Sequence, residues 1–242
     1  MPLVIMCGRP CSGKTLRAQQ IAAHLRAMPE TRDASVHVVN EESLHQRRDE
    51  AYADSSAERM ARGALKSEVE RLLTAEAFVI CDSMNYIKGF RYELFARARA
   101  LNTQSCVVLC DTPVEACRAY KAARAADADR YGADALLDDL SSRLESPSDR
   151  VKWDRPLFVV EEKEDAPVAA ICTALVHGKA AKASLATTPQ RLADTNFLFE
   201  LDGVTQDVEK ALVALLPTVE IGGILAPLPH TSEKVCIKNL QI

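Results

Sequence analysis

Gly8-Arg9-Pro10-Cys11-Ser12-Gly13-Lys14-Thr15 stands between the apolar run Leu3-Val4-Ile5-Met6-Cys7 and a helical pattern that begins at Lys14 and ends at Met28, where Pro29 stops it. The apolar run reads as a buried strand. A glycine-rich turn that leaves a strand and opens a helix is suited to phosphate. Glycines let the chain curl, backbone N–H groups point inward, and the positive end of the helix faces the anion. The spacing GxxxxGK[ST] completes the pattern. Lys14 reaches the β- and γ-phosphates as a point charge, and Thr15 presents its hydroxyl to Mg²⁺. The candidate ATP cradle is therefore Gly8, Arg9, Pro10, Cys11, Ser12, Gly13, Lys14 and Thr15.

Outward from this loop, strands and helices alternate. Residues 36–39, 78–81, 106–110 and 157–160 read as further strands. Residues 56–75, 89–100 and 168–176 read as helices, and another opens after Thr112-Pro113, where the fixed φ of proline suits a first turn. In the helix over 56–75, Met60, Ala64, Leu65, Val69, Leu72 and Leu73 fall near one face. Strands joined through helices require crossovers, hence a parallel sheet covered on both sides. The predicted fold is α/β: a P-loop NTPase with a five-stranded parallel sheet. Ligands of such sheets bind at the carboxyl ends of the strands, where Gly8, Asn40, Asp82 and Asp111 all fall. Residues 179–188, rich in Ala, Ser, Thr and Lys, read as a linker. This gives a nucleotide-binding domain over 1–183 and a short helical C-terminal segment over 184–242. In that segment a helical pattern covers 194–216, and residues 217–229 read as a loop.

Asp82 follows a strand as a Mg²⁺-associated acid does in this fold, although a capping aspartate occupies the same place. Thr15 and Asp82 are the metal candidates. Asn40-Glu41-Glu42 brings two carboxylates to the neighbouring strand end, where one of them orients a water or takes a proton from a hydroxyl; a solvated acidic loop is the alternative. Arg118, Lys121, Arg124, Arg130, Arg143 and Arg150 form either a lid that closes on phosphates or a charged helix surface. Trp153 stacks on a base or packs internally. The five histidines show no metal-ligand spacing.

A formal net charge of −4 gives no general affinity for nucleic acid, though the thirty Lys and Arg leave room for a local basic face. No apolar run is long enough to span a bilayer, and the N-terminus lacks a basic leader, so a soluble intracellular protein is expected. The eight cysteines form no CxxC pair. Cys7, Cys81, Cys106 and Cys110 lie in apolar runs, and Cys11 is the one singled out for redox sensitivity.

Asp82-Ser83-Met84-Asn85-Tyr86-Ile87-Lys88-Gly89-Phe90-Arg91-Tyr92-Glu93-Leu94 is similar to a signature of the killer-toxin-insensitivity family of Elongator-associated P-loop ATPases, relatives of the seryl-tRNA(Sec) kinases. The resemblance extends through Asn40-Glu41-Glu42-Ser43-Leu44, Arg62-Gly63-Ala64-Leu65-Lys66-Ser67, residues 117–124, Trp153-Asp154-Arg155-Pro156-Leu157-Phe158 and residues 195–202. It implies a kinase-like P-loop NTPase fold, ATP and Mg²⁺ at residues 8–15, Asp82 as a Walker-B-like acid and Arg124 as the lid arginine. With Lys14 and Glu41 these are the candidate catalytic residues. It further implies tRNA-stimulated ATP hydrolysis, association with Elongator in tRNA wobble-uridine modification, and residence in the cytoplasm and nucleus. The chain departs from the family in carrying Glu41 where Asp is usual and Lys121 where Asn is usual. It also has little of the basic C-terminal helix that contributes to tRNA binding, which weighs against autonomous tRNA binding. A tRNA-directed kinase and a nucleotide-gated adaptor without useful turnover are the rival readings.

Overall fold

Six successive residues of Leu3–Gly8 are buried, and they form β1 at the centre of a five-stranded sheet. The computed structural model describes residues 2–74, 76–123, 134–178, 197–218 and 223–237. Strands β2 (Ser35–Val39), β3 (Ala77–Cys81), β4 (Ser105–Asp111) and β5 (Leu157–Glu161) complete the sheet, in the order β2-β3-β1-β4-β5. Every pairing in it is parallel.

Period-two geometry divides the strand residues between two cores. Val4, Met6, Phe78, Ile80, Cys106 and Val108 pack with Ile21 and Leu25 of α1 (Lys14–Ala27) and Ile171 and Leu175 of α7 (Val168–His177). Leu3, Ile5, Cys7, Val79, Cys81 and Val107 face the other way, onto Leu65 and Val69 of α3 (Ser55–Leu72) and Phe90 and Leu94 of α4 (Lys88–Ala100). Each buried aliphatic side chain contributes about 1.5–3 kcal/mol relative to exposure, so the doubly covered sheet is the rigid frame of the molecule.

Helix α3 starts where Asp54 accepts hydrogen bonds from the N–H groups of Ser56 and Ala57, both at 2.8 Å, a cap worth about 1 kcal/mol. Its buried face is Glu58, Ala61, Leu65 and Val69. Met60, expected on that face, is 69% exposed, because it lies about 100° around the helix from Ala61. The helix also ends at Leu72, where the sequence pattern runs to 75. Two helices go beyond the sequence reading: the single turn α2 (Arg48–Ala51) and α6 (Asp134–Ser142), which follows α5 (Val114–Ala123). A third apolar cluster joins them to the phosphate loop through Cys11, Tyr52, Met84, Tyr86, Cys117 and Leu140.

The chain divides into two compact units, Met1–Ser184 and Leu185–Ile242. In the second unit, α8 (Phe197–Leu215) packs Val208, Ala211, Leu212 and Leu215 against Ala226, Leu228 and Ile237. Strands β6 (Ile224–Pro227) and β7 (Lys234–Ile237) pair antiparallel. Thus the stretch 217–229, which reads as a loop, holds a strand, and residues 234–237 beyond it supply its partner. The 179–188 linker lies outside the described residues.

Candidate functional site

The loop between β1 and α1 has a backbone that few residues other than glycine tolerate. Gly8 has φ +146°, and a Cβ there would stand 2.6 Å from the Cys110 carbonyl oxygen and 2.8 Å from Ser12 Oγ. Gly13 has φ +83°, and a Cβ on it would meet the Arg17 guanidinium at 2.5 Å. Lys14 curls back, its Nζ donating to the carbonyls of Arg9 at 2.6 Å and Gly8 at 3.2 Å. Ser12 Oγ is buried without a hydrogen-bond partner.

The register of β2 on β3 pairs Val39 with Cys81, so the residues immediately after each strand become neighbours. Asn40 and Glu41 thereby meet Asp82 and Ser83. Asn40 Nδ2 donates to Asp82 Oδ2 at 3.4 Å, while its own Oδ1 accepts the Ser43 N–H at 2.7 Å and fixes the turn. Glu41 is completely buried. Its Oε1 accepts the Ser83 hydroxyl at 2.6 Å and the Tyr52 hydroxyl at 2.8 Å. Its Oε2 lies 3.5 Å from Arg48 Nε and makes no hydrogen bond. A cavity of about 80 Å³ is lined by Cys11, Ser12, Gly13, Lys14, Thr15, Leu16, Glu41, Arg48, Asp82 and Ser83.

Asp82 also lies within this cavity wall, its Oδ1 buried and unpartnered. Burial pushes its carboxyl above the usual carboxylate range, against the opposing pull of the Thr15 hydroxyl, the Lys14 charge and the Asn40 amide. A buried carboxylate with a bare oxygen beside a threonine hydroxyl is an oxygen donor set suited to a hard divalent cation. The described residues contain no cluster of three or more His, Cys, Asp or Glu able to hold a metal. A cation here would therefore depend on Asp82, Thr15 and phosphate oxygens.

A second cleft adjoins the first, lined among others by Leu16, Arg17, Gln20, Thr112, Tyr120 and residues 162–165. Arg17 shapes it by donating to the carbonyls of Glu161, Glu162 and Glu164 at 3.0–3.4 Å. Tyr120 closes one side through a 2.8 Å hydrogen bond to Glu162 Oε1. The two clefts share Cys11, Ser12, Gly13 and Leu16, as a nucleotide with its phosphates on the loop would require.

Lys14, Thr15, Glu41 and Asp82 thus converge. Other residues singled out in the sequence do not. The Arg9 side chain turns away, to Asp111 Oδ1 and the Thr112 carbonyl, both at 3.1 Å, and Asp111 does not line the cavity that Asp82 lines. Arg118 pairs outward with Asp138, and Lys121 with Asp134. Arg143 reaches the buried Glu58, which also receives Tyr86 and Arg62. Burial would raise the Glu58 carboxyl, but those hydrogen bonds and charges outweigh it and hold the group below its ordinary range. Trp153 packs edge-on against Tyr92, ring centres 5.3 Å apart, with Lys88 over its ring, so packing replaces the base-stacking role. Arg124 and Arg130 lie outside the described residues. Arg17, Arg48, Tyr52, Ser83 and Tyr120 are the site-forming residues that the sequence reading passed over. Ser83 alone carried a signal, standing beside Asp82 in the signature block.

The family described as "Chromatin associated protein KTI12" matches the chain over residues 1–242. The chain belongs to the KTI12 family. Among curated KTI12 homologues, that of Danio rerio is 41% identical over 235 residues, covering 97% of this chain and 83% of the relative. That of Xenopus laevis is 41% identical over 240 residues, covering 99% and 85%. The crystal structure of Chaetomium thermophilum Kti12 in complex with ADP-AlF3 superposes with a TM-score of 0.63 at 32% identity, over 75% of this chain and all of the other. The KTI12 chain described here is thus a P-loop α/β protein, with the loop, the acid after β3 and the five-stranded parallel sheet of a nucleotide-binding domain. No helix among the described residues is long and apolar enough to cross a membrane.

Proposed function

We propose that the chain binds ATP with Mg²⁺ and hydrolyses it slowly, and that tRNA stimulates this turnover. In this reading it serves as a regulatory factor of Elongator in tRNA wobble-uridine modification, in the cytoplasm and nucleus. The nucleotide domain spans 1–183, and residues 184–242 contribute to the tRNA contact. Family membership and the ADP-AlF3 complex of the Chaetomium relative support nucleotide binding. The Elongator and tRNA roles rest on the resemblance alone.

One observation favours hydrolysis over transfer to a hydroxyl substrate. Glu41 is enclosed by Tyr52, Ser83 and Arg48, and the cavity it faces measures about 80 Å³. That is room for a phosphate and a few waters, each water needing at least about 10–15 Å³. Thr15 and Asp82 would hold Mg²⁺, which supplies positive charge to phosphate oxygens when bound. Backbone N–H groups of the loop and Lys14 neutralise charge on the transferring group. Lys14 exchanges its two loop carbonyls for the phosphates. Oε2 of Glu41, which lies 3.5 Å from Arg48 Nε and accepts no hydrogen bond from the protein, accepts one from the attacking water and orients it toward phosphorus as the bond to ADP breaks.

The test is ATP hydrolysis by the purified chain with Mg²⁺, with and without tRNA, beside Lys14→Ala. A rate that tRNA raises and Lys14→Ala lowers about 10- to 150-fold, the worth of one charged hydrogen bond, supports the reading. Transfer of labelled phosphate to seryl-tRNA would replace it with a kinase. Tight ATP binding without hydrolysis, tRNA or not, would replace it with an adaptor. Co-purification of Elongator subunits with the tagged chain tests the partner.

A further inference from the structure

The two oxygens of Glu41 are held differently: Oε2 faces Arg48 Nε at 3.5 Å without a hydrogen bond, while Oε1 is hydrogen-bonded. Both hydrogen bonds that the carboxylate accepts, from Ser83 at 2.6 Å and Tyr52 at 2.8 Å, fall on Oε1, and the two hydroxyls stand 3.3 Å from each other. Oε2 is equally buried and accepts none. A buried carboxylate oxygen that accepts no hydrogen bond is costly even beside a cation, and it persists where the surroundings over-determine its position. Here they do. Tyr52 is fixed by the turn of α2 beneath it, its N–H bonded to the Arg48 carbonyl at 3.2 Å, and Ser83 by the end of β3. Tyr52 and Ser83 are themselves buried, at 4% and 4% exposure.

We infer that Tyr52 and Ser83 are positioning residues for the hydrolytic step: they saturate Oε1 so that Oε2, and no other oxygen of Glu41, meets the attacking water. This rests on the hydrolytic reading of the site. A water held by one fixed acceptor starts near its attack geometry, whereas a carboxylate free to turn spreads the same water over several poses. Neither hydroxyl is assigned contact with the nucleotide. Their effect on turnover then runs through Glu41.

A double-mutant cycle on the full chain tests this, with kcat and KM for ATP measured beside Kd for a fluorescent ATP analogue. Tyr52→Phe and Ser83→Ala should each lower kcat about tenfold, the lower end of what a positioned acid–base group contributes, with KM and Kd unchanged. Ser83→Thr, which keeps a hydroxyl, should recover most of the loss. In a Glu41→Gln background, Tyr52→Phe and Ser83→Ala should cost nothing further. Equal losses in both backgrounds, or losses in KM and Kd in place of kcat, would overturn the inference. If either single variant fails to fold, the other carries the cycle. A wild-type chain that binds the analogue but does not hydrolyse ATP overturns the hydrolytic reading and this inference with it. An active wild type with no coupling to Glu41 overturns the inference alone.

Discussion

Arg91 Nε donates to Asp154 Oδ1 at 2.9 Å, and the two side chains are 0% and 1% exposed. The pair ties α4 to the chain just before β5, across 63 residues. The remaining hydrogen bonds on both partners are made as well. Arg91 also donates to the carbonyls of Asn85 at 3.0 Å and Tyr86 at 3.3 Å, and Asp154 Oδ2 accepts the Ser148 N–H at 3.1 Å. A charge so buried has no water to fall back on. Asp154→Ala should therefore destabilise the fold by about 3–5 kcal/mol, the cost of stranding the guanidinium. Urea unfolding of the variant measures it. A loss below about 1 kcal/mol would rank the pair with surface bridges.

The same pair explains why two separate stretches stood out in the sequence. The block 82–94 and the stretch 153–158 are halves of one structural joint: Asn85, Tyr86 and Arg91 on one side, Asp154 on the other. Only Asp82 and Ser83 from that block face the cavity. Much of the signature is thus architecture holding the acid after β3 in place.

Gly8 offers a second test. A side chain there requires φ +146°, a conformation close to glycine-only, and its Cβ would collide with a backbone carbonyl of β4. Gly8→Ala should cost about 1–3 kcal/mol for the backbone conformation, and more for the collision. Because Lys14 and Ser12 take their places from this turn, ATP should also cease to raise the thermal midpoint. A variant that keeps the wild-type midpoint and its shift with ATP would mean that the loop re-forms around the new Cβ.

Legibility followed the range of the interactions. The strand–loop–helix of residues 3–27 is written locally, in an apolar run, two glycines and a lysine, and the sequence yields it nearly to the residue. The other strands are legible too: β3 and β4 are apolar runs buried on both faces, and the edge strands β2 and β5, though partly exposed, are short apolar runs as well. The base cradle was not legible. Glu41, Tyr52 and Ser83 follow one another at intervals of 11 and 31 residues along the chain, and they meet through the register of Val39 on Cys81 and the turn of α2. Helix α2 is one turn, too short for any periodicity, and takes its form from tertiary contacts. Met60 falls off the buried face because a wide apolar stripe on an 18-residue helix leaves its edge undefined.

Cysteine reactivity follows burial. All eight cysteines are free, and among them only Cys236 is exposed. Burial pushes the thiols of Cys7, Cys117 and Cys172 up to about 11, so at neutral pH only about one in ten thousand of each is thiolate. Cys11, which the sequence marked for redox sensitivity, is buried in the phosphate loop. A thiol-specific chromogenic disulfide should therefore release one rapid equivalent from the native chain and the other seven only on unfolding. Cys236→Ser should abolish the rapid phase. A fast phase that survives this substitution would put a reactive thiol in the nucleotide domain.

Asp82 links stability to function with opposite signs. Its folded carboxyl is raised above the ordinary value of 3.8, chiefly by burial, so the folded state holds the proton more tightly than the unfolded chain. Its contribution is therefore most favourable at low pH and is lost as pH climbs from 3.8 through the raised folded value. At neutral pH the ionised, half-bare carboxylate weakens the nucleotide-free fold. Asp82→Asn removes that charge and should raise the thermal midpoint of the nucleotide-free chain near neutrality. The gain should shrink as pH falls through the folded pKa, where wild-type Asp82 is protonated. With Mg²⁺ and ATP the order should reverse. The wild type should gain more midpoint than the variant, and turnover of the variant should fall about 10²-fold, as on removing one electrostatic partner of the reacting group. Differential scanning fluorimetry across pH, with and without Mg²⁺ and ATP, separates these effects. A nucleotide-free variant less stable than wild type at neutral pH would mean that the Asn40 and Thr15 interactions outweigh the burial of the charge.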